Sequence, residues 1–165
     1  MSELAIYPGT FDPITLGHVD LVRRASIIFP NLIVAISTNP RKSPLFSMEE
    51  RLAMARELAS EFPNVRVESF DGLLVDYARA RSCRILVRGV RAFSDFEFEF
   101  QMALTNRKLA PEIETLFLMP QEMYSVLSSS MVREIYSLGG NTSELVPGYV
   151  QRALDRKRSS GVAAP

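Results

Sequence analysis

Short apolar runs alternate with amphipathic stretches along this chain. Leu4 to Tyr7, Leu32 to Ile36 and Ile85 to Val87 are nearly continuous in apolar residues, the pattern of buried strands, and Thr115 to Met119 reads as a last strand closed by Pro120. Val65-Arg66-Val67-Glu68-Ser69-Phe70 alternates with period two instead, which predicts a strand with one wetter face at a sheet edge. Helical patterns lie between these runs. Gly17 and His18 open one whose apolar face is Val19, Leu21, Val22, Ala25 and Ile28. Ser47 and Glu50 form a capping box for a second, running to about Phe62 and burying Leu52, Ala55, Leu58 and Ala59. Asp71-Gly72 turns the chain into a third, from about Leu73 to Arg81. Asp95 to about Lys108 carries two apolar stripes, with Phe93, Phe96, Phe100, Ala103 and Leu104 on one and Phe98, Met102 and Leu109 on the other. One stripe suffices for a surface helix, so the second predicts burial against another copy of the chain. Met131 to Leu138 and a segment from Pro147 through Val150, Ala153 and Leu154 complete the series.

Strand–helix alternation of this kind predicts a single α/β domain. Its sheet is doubly wound (Rossmann-like), five-stranded and parallel, with a C-terminal helical segment. The domain is expected to span 1–158, with a frayed tail over 159–165. The 165 residues suit one core. Lys plus Arg and Asp plus Glu both total 19, so no overall field favours nucleic acid or an anionic membrane. Cys83 is the only cysteine, which excludes an intrachain disulfide and points to a reducing compartment. With a single histidine as well, a His/Cys metal cage is excluded, whereas Mg²⁺ held by carboxylates or arriving on a nucleotide stays open. No stretch is long enough to span a bilayer and no leader is expected, so the chain is expected in the cytoplasm.

Candidate chemistry gathers at the carboxyl ends of the strands. After the first run, Pro8 and Gly9 are expected to end the strand, and a tight polar turn leads into a helix N-terminus. Such a junction binds anions through unpaired N–H groups and a partial positive charge. Thr10 adds a hydroxyl there and His18 an imidazole. Lys42 sits in a polar loop just past the second run, at the binding edge of an open parallel sheet. Arg88-Gly89-Val90-Arg91 sets two phosphate-gripping guanidiniums around a residue that allows close backbone approach. Ser128, Ser129 and Ser130 precede a helix and offer a second anion site. Each feature has a plainer reading: a capping histidine, a solvated lysine, ion-paired arginines, an N-cap serine.

Thr15-Leu16-Gly17-His18 fits neither G-x-x-x-x-G-K-[ST] nor G-x-G-x-x-G. It resembles the T/H-x-G-H signature of the nucleotidylyltransferase superfamily, related to the HIGH box of class I aminoacyl-tRNA synthetases. The fuller Tyr7-Pro8-Gly9-Thr10-Phe11-Asp12-Pro13 context is similar to the phosphopantetheine adenylyltransferase family. So are Arg88-Gly89-Val90-Arg91 and the run Asp95-Phe96-Glu97-Phe98-Glu99, while Leu127-Ser128-Ser129-Ser130 with Arg133 resembles the superfamily's second signature, [IL]-S-[ST]-[ST]-x-x-[RK]. The resemblance extends to about Arg158.

It implies adenylyl transfer from ATP to 4′-phosphopantetheine, giving 3′-dephospho-coenzyme A and pyrophosphate. By the same resemblance Thr10, Lys42, Leu74 and Arg88 bind the acceptor. Thr10, Phe11, His18, Gly89, Val90, Arg91, Glu99, Tyr124, Ser125, Val126, Leu127 and Ser128–Ser130 bind ATP. Thr10, His18, Lys42 and Arg91 carry the catalysis. Tyr124 falls where the family places an aromatic residue, often tryptophan. Read from the sequence alone, Glu97 and Glu99 could equally be solvated charges. Mg²⁺ is expected on ATP with no dedicated metal site, the chain in a homohexamer, and coenzyme A as a candidate feedback ligand. Three alternatives stay open at this point. The first is a sister enzyme acting on nicotinate mononucleotide or using CTP on a polyol phosphate. The second is a nucleotide-binding regulator without turnover. The third, a tRNA-related activity, is disfavoured by the balanced charge.

Overall fold

Five strands form one parallel sheet: β1 (Leu4–Gly9), β2 (Asn31–Ser37), β3 (Val65–Phe70), β4 (Ile85–Gly89) and β5 (Glu114–Leu118), in the order β3-β2-β1-β4-β5. These come from a computed structural model that describes residues 3–38, 43–91 and 93–161, and within the fourth helix the side chains from Asp95 onward. Helices α1 (Leu16–Ile28), α2 (Met48–Ala59), α3 (Leu74–Ala80), α4 (Phe93–Leu109), α5 (Ser129–Ser137) and α6 (Gly148–Ser159) connect and cover the strands, with a short 3₁₀ turn at Glu122–Tyr124. This is the doubly wound sheet the hydropathy pattern predicts, and β3 is an edge strand as its alternation requires. No helix among the described residues is long and apolar enough to cross a membrane.

Near-continuous apolar strands make sense because successive residues serve opposite cores. Ala5, Tyr7, Leu32, Val34 and Ile36 join a cluster with Leu21, Val22 and Ala25 of α1, Ala55 and Leu58 of α2, Val132 and Tyr136 of α5, and Val150 and Leu154 of α6. Ile6, Ile33, Ala35 and Leu86 pack on the other face with Val75 and Ala78 of α3, Ala110 and Ile113. Cys83 is buried there too, its thiol donating to the Leu4 carbonyl at 3.2 Å.

Several local expectations are corrected. Pro8 does not end β1, which stays paired with β2 through Gly9 opposite Ile36. Pairing of β1 with β4 stops at Ile6 opposite Leu86. Pro8 therefore stands where one ladder has already ended, and its missing N–H costs little there. That parting opens a crevice between β1 and β4, where the strand order reverses and open α/β sheets bind ligands. On α1 the expected apolar face loses Ile28, which is 55 % exposed, while Asp20 is buried. Its carboxylate accepts from Arg24 Nε and from the Gln121 N–H, both at 2.9 Å. The Ser47–Glu50 capping box is present, yet α2 ends at Ala59 and buries Arg51 and Met54, leaving Leu52 and Ala59 half-buried. On α4 both stripes are exposed. Phe96, Phe100 and Leu104 lie as open as Phe98, Met102 and Leu109, because α4 flanks the β5 edge rather than crossing the sheet's centre.

Candidate active site

Two helix N-termini meet over the crevice. Thr15 caps α1: its hydroxyl accepts from the His18 N–H, and its own N–H donates to His18 Nδ1 at 2.9 Å. A histidine at the third helical position thus completes the cap with an imidazole instead of a carboxylate. That bond also fixes the chemistry of the ring. Nδ1 is an acceptor, so the neutral ring carries its proton on Nε2. Burial, with Arg91 and Arg88 adding to it, pulls the imidazole's pKa down to about 3. No hydrogen bond among the described residues uses Nε2, and the ring lines the cleft. His18 is a fixed neutral donor. It caps the helix and faces the site at once.

Ser128 caps α5 in the ordinary way, its hydroxyl accepting from the Met131 N–H at 3.0 Å. The two junctions are tied together. Ser129 Oγ donates to the Pro13 carbonyl at 2.7 Å, and Arg133 donates to the Asp12 carbonyl at 2.5 Å and to Ser130 Oγ at 3.2 Å. More than a hundred residues of sequence separate Ser129 from Pro13 and Arg133 from Asp12, so their pairing is what makes one site of two turns.

The loop itself is held hard. Phe11 is buried with φ at +50°, a left-handed conformation that costs energy for a bulky residue and persists only where its surroundings impose it. Its ring stands edge-on to Tyr7 and His18, with centroids 5.4 and 5.0 Å away. Gly9 is required by the same ring, since a Cβ there would lie 2.9 Å from it. At Gly89 a Cβ would come within 2.3 Å of Leu21 Cδ1, so a larger residue there would have to displace that side chain of α1.

The arginines enter from the other strand. Arg88 forks onto Glu99 of α4 at 2.7 and 2.6 Å and donates to the Pro8 carbonyl at 2.8 Å. Burial works against its charge, but the Glu99 carboxylate more than offsets this and raises the guanidinium's pKa. Of its five N–H groups two remain for a ligand. Arg91 donates to Asp95 at 2.8 Å and to the Leu127 carbonyl, which reaches across to the serine turn. Glu99 is therefore buried and paired, not a solvated charge.

A cleft of about 620 Å³ results. Among the predicted residues Thr10, Phe11, His18, Arg88, Gly89, Arg91, Glu99, Leu127, Ser128, Ser129 and Ser130 line it. Leu74, Val90, Tyr124, Ser125 and Val126 lie outside that lining. Leu74 is half-buried at the start of α3, while Tyr124 sits beside Gly17. Lys42 lies outside the described residues. Among the described residues no group of three or more His, Cys, Asp or Glu is placed to hold a metal ion.

The residue list drawn from the sequence lacks Tyr7, Asp12, Arg51 and Arg133. Tyr7, Asp12 and Arg133 also line the cleft, and burial pushes the Tyr7 phenol's pKa up. Asp12 and Arg133 stood inside quoted motifs. Arg51 had its own signal: with Ala55 and Leu58 it falls on the buried stripe of α2 at spacings of four and three.

The sequence profile of the cytidylyltransferase-like family matches residues 6–135. The chain is 59 % identical over 157 residues to the phosphopantetheine adenylyltransferase of Methylococcus capsulatus, covering 95 % of this chain and 97 % of that protein. It is 55 % identical over 157 residues to that of Azoarcus sp. (95 % and 96 %), and 53 % identical over 155 residues to that of Carboxydothermus hydrogenoformans (94 % and 96 %). Among solved structures, a protein of Vibrio parahaemolyticus described as a nicotinate-nucleotide adenylyltransferase superposes with a TM-score of 0.70 at 17 % identity, covering 95 % of this chain and 94 % of that one. At that identity the likeness is one of fold alone.

Proposed function

The chain belongs to the phosphopantetheine adenylyltransferases of the cytidylyltransferase-like family, and we propose that its cleft performs their reaction by placement rather than by acid–base chemistry. The reaction is adenylyl transfer from ATP to 4′-phosphopantetheine, giving 3′-dephospho-coenzyme A and pyrophosphate, the penultimate step of coenzyme A synthesis. One observation carries the mechanistic reading: Ser129 and Arg133 bond to the loop that carries His18, so both anion-binding helix ends serve one polyphosphate.

The acceptor is itself a phosphate and ionised near neutral pH, so no base has to generate the nucleophile. The barrier lies in bringing two anions into line and in the charge that builds on the α-phosphoryl oxygens. In this reading Lys42 and the two remaining N–H groups of Arg88 hold the acceptor's phosphate, Thr10 orients its attacking oxygen, and Leu74 meets the pantetheine arm. Arg91 and the Ser128–Ser130 turn take the triphosphate, and Phe11, Gly89, Val90, Glu99 and the 124–127 segment frame the rest of ATP. The His18 Nε2–H bonds an α-phosphoryl oxygen and does so most strongly at the pentavalent stage. That is differential stabilisation of the transition state. Mg²⁺ enters as part of the ATP complex, where it neutralises triphosphate charge.

The same reading extends to the assembly and the cell. The exposed apolar surface of α4, continued by Leu116 on the β5 edge, supports packing of this chain against its own copies in a homohexamer. Coenzyme A carries the same phosphopantetheine arm and would compete for the cleft. The unpaired, buried Cys83 accords with a cytoplasmic enzyme.

The test is incubation with ATP, Mg²⁺ and 4′-phosphopantetheine, followed by mass detection of 3′-dephospho-coenzyme A and assay of pyrophosphate. Nicotinate mononucleotide with ATP and a polyol phosphate with CTP serve as competing pairs. Product from the pantetheine pair at least about a hundredfold faster is expected, the ratio that roughly 3 kcal/mol of differential binding gives. Equal or faster turnover of another pair overturns the assignment, and ATP binding without any product would point to a regulator.

A further inference from the structure

One peptide behind the cleft is gripped from both sides by buried charges. The N–H groups of Leu45 and Phe46 donate to the two carboxylate oxygens of Asp12 at 2.8 and 2.9 Å. The Phe46 carbonyl accepts from Arg51 Nε at 3.1 Å. Arg51 Nη1 then donates to the Thr10 carbonyl at 2.9 Å and to the Ser37 carbonyl at 3.2 Å. Asp12 and Arg51 are only 3 % and 4 % exposed. Burying two charges is expensive, and apolar residues of the same volume usually serve stability as well or better. Asp12 also stands 3.8 Å from Arg133, but the hydrogen bonds of both charges go to backbone groups on separate loops: the exit of β1 at Thr10, the exit of β2 at Ser37, and the Leu45–Phe46 root that follows Ser43 and Pro44 in the cleft wall. Directional bonds to three loops fix relative position, which apolar packing cannot do.

We propose that Asp12 and Arg51 are a positioning pair for the transfer reaction, locking the Leu45–Phe46 root against the Thr10 turn and thereby setting where the acceptor's phosphate meets the α-phosphorus. The inference rests on the adenylyl-transfer reading. Arg51 lies outside the cleft lining, and both carboxylate oxygens of Asp12 are taken by the Leu45 and Phe46 N–H groups. Their contribution is alignment, and a misplacement of about 1 Å in such a site lowers turnover by around a hundredfold.

The test compares Asp12→Asn and Arg51→Lys with the wild type, all as full chains, measuring kcat and KM for both substrates, the melting midpoint and amide exchange at Leu45 and Phe46. Asn can accept from one N–H but sets an amide donor against the other, and Lys keeps the charge without the fork. Expected are kcat losses of roughly ten- to a hundredfold in both variants, with KM for ATP nearly unchanged and melting close to wild type. Exchange at the two amides should be faster in Asp12→Asn. The double variant should be no slower than the slower single variant, because both changes release the same peptide. Wild-type kcat in either variant overturns the pairing. So does a loss that disappears on cooling well below the melting midpoint, since that marks a purely structural role. If Asp12→Asn does not fold, Arg51→Lys decides by the same criteria. A wild-type chain that makes no 3′-dephospho-coenzyme A removes the reaction itself and the inference with it, an outcome distinct from an active wild type with unaffected variants.

Discussion

On the β3-β2-β1 side of the sheet the apolar side chains of β2 are all buried between two helical layers, whereas beyond β4 Phe98, Met102, Leu109 and Leu116 stand 61, 42, 48 and 43 % exposed. The cleft lies on the seam between these regions. Thr10, Asp12 and His18 come from the closed side, where the chain's own core, a capping box and a strained loop fix them. Arg88 and Arg91 come from the open side, held by Glu99 and Asp95 of α4, a helix whose outer surface is left exposed by the described residues. One half of the site is finished by folding. The other depends on a helix whose outer apolar side chains stand exposed.

That contrast can be broken from either side. On the closed side, removing the Nε2–H donor in His18→Ala should lower kcat by several hundredfold, about 3–4 kcal/mol as for an oxyanion-hole donor, with KM for both substrates little changed. Steady-state kinetics with an unchanged circular dichroism spectrum checks it. On the open side, Glu99→Gln weakens the fork that holds Arg88. Hydrogen bonds to charged groups contribute about 1.5–3 kcal/mol, so kcat/KM for 4′-phosphopantetheine should fall by roughly ten- to a hundredfold, and Arg88→Lys should act in the same direction.

Smaller effects sharpen the comparison. Replacing Phe98 and Met102 by Glu should convert the assembly to monomers in light scattering and lower activity severalfold, because α4 then holds Glu99 without outside support. A fully active monomer would show that α4 is rigid by itself. The smallest effect is on stability. An unfolded histidine binds its proton below about pH 6.5, while the folded His18 ring resists until about 3. The unfolded state therefore binds more protons across this window, so stability rises with pH between these values and falls on acidification. Going from pH 7 to 5 should cost about 1–2 kcal/mol through this residue, and His18→Gln should flatten that part of a denaturation-against-pH curve.

Much of this was legible in the chain. Strands buried on both faces announce themselves as apolar runs, and the motifs around Thr10, His18, Arg88, Arg91 and Ser128–Ser130 fell together at one sheet edge because parallel strands bring their carboxyl ends together. What escaped has physical reasons. Pro8 looked like a terminator because a sequence does not show which of two ladders has already ended. The stripe of Phe96, Phe100 and Leu104 looked like a core face because periodicity reports apolar character and not what covers it. Glu99 could read as a solvated charge because its partner Arg88 lies on another element. Arg51 stands in register with Ala55 and Leu58 on the apolar stripe of α2, so its burial was legible from spacing, but its role was not, because the carbonyls of Thr10, Ser37 and Phe46 that converge on it lie on other elements.

The convergence of the two helix ends on one polyphosphate is tested most directly by titrating the ¹⁵N-labelled chain with α,β-methylene-ATP and following individual amides. Leu16–His18 and Ser129–Met131 should shift together along one binding curve with a single Kd. Shifts confined to one of the two junctions, or two curves with different midpoints, would contradict the shared site.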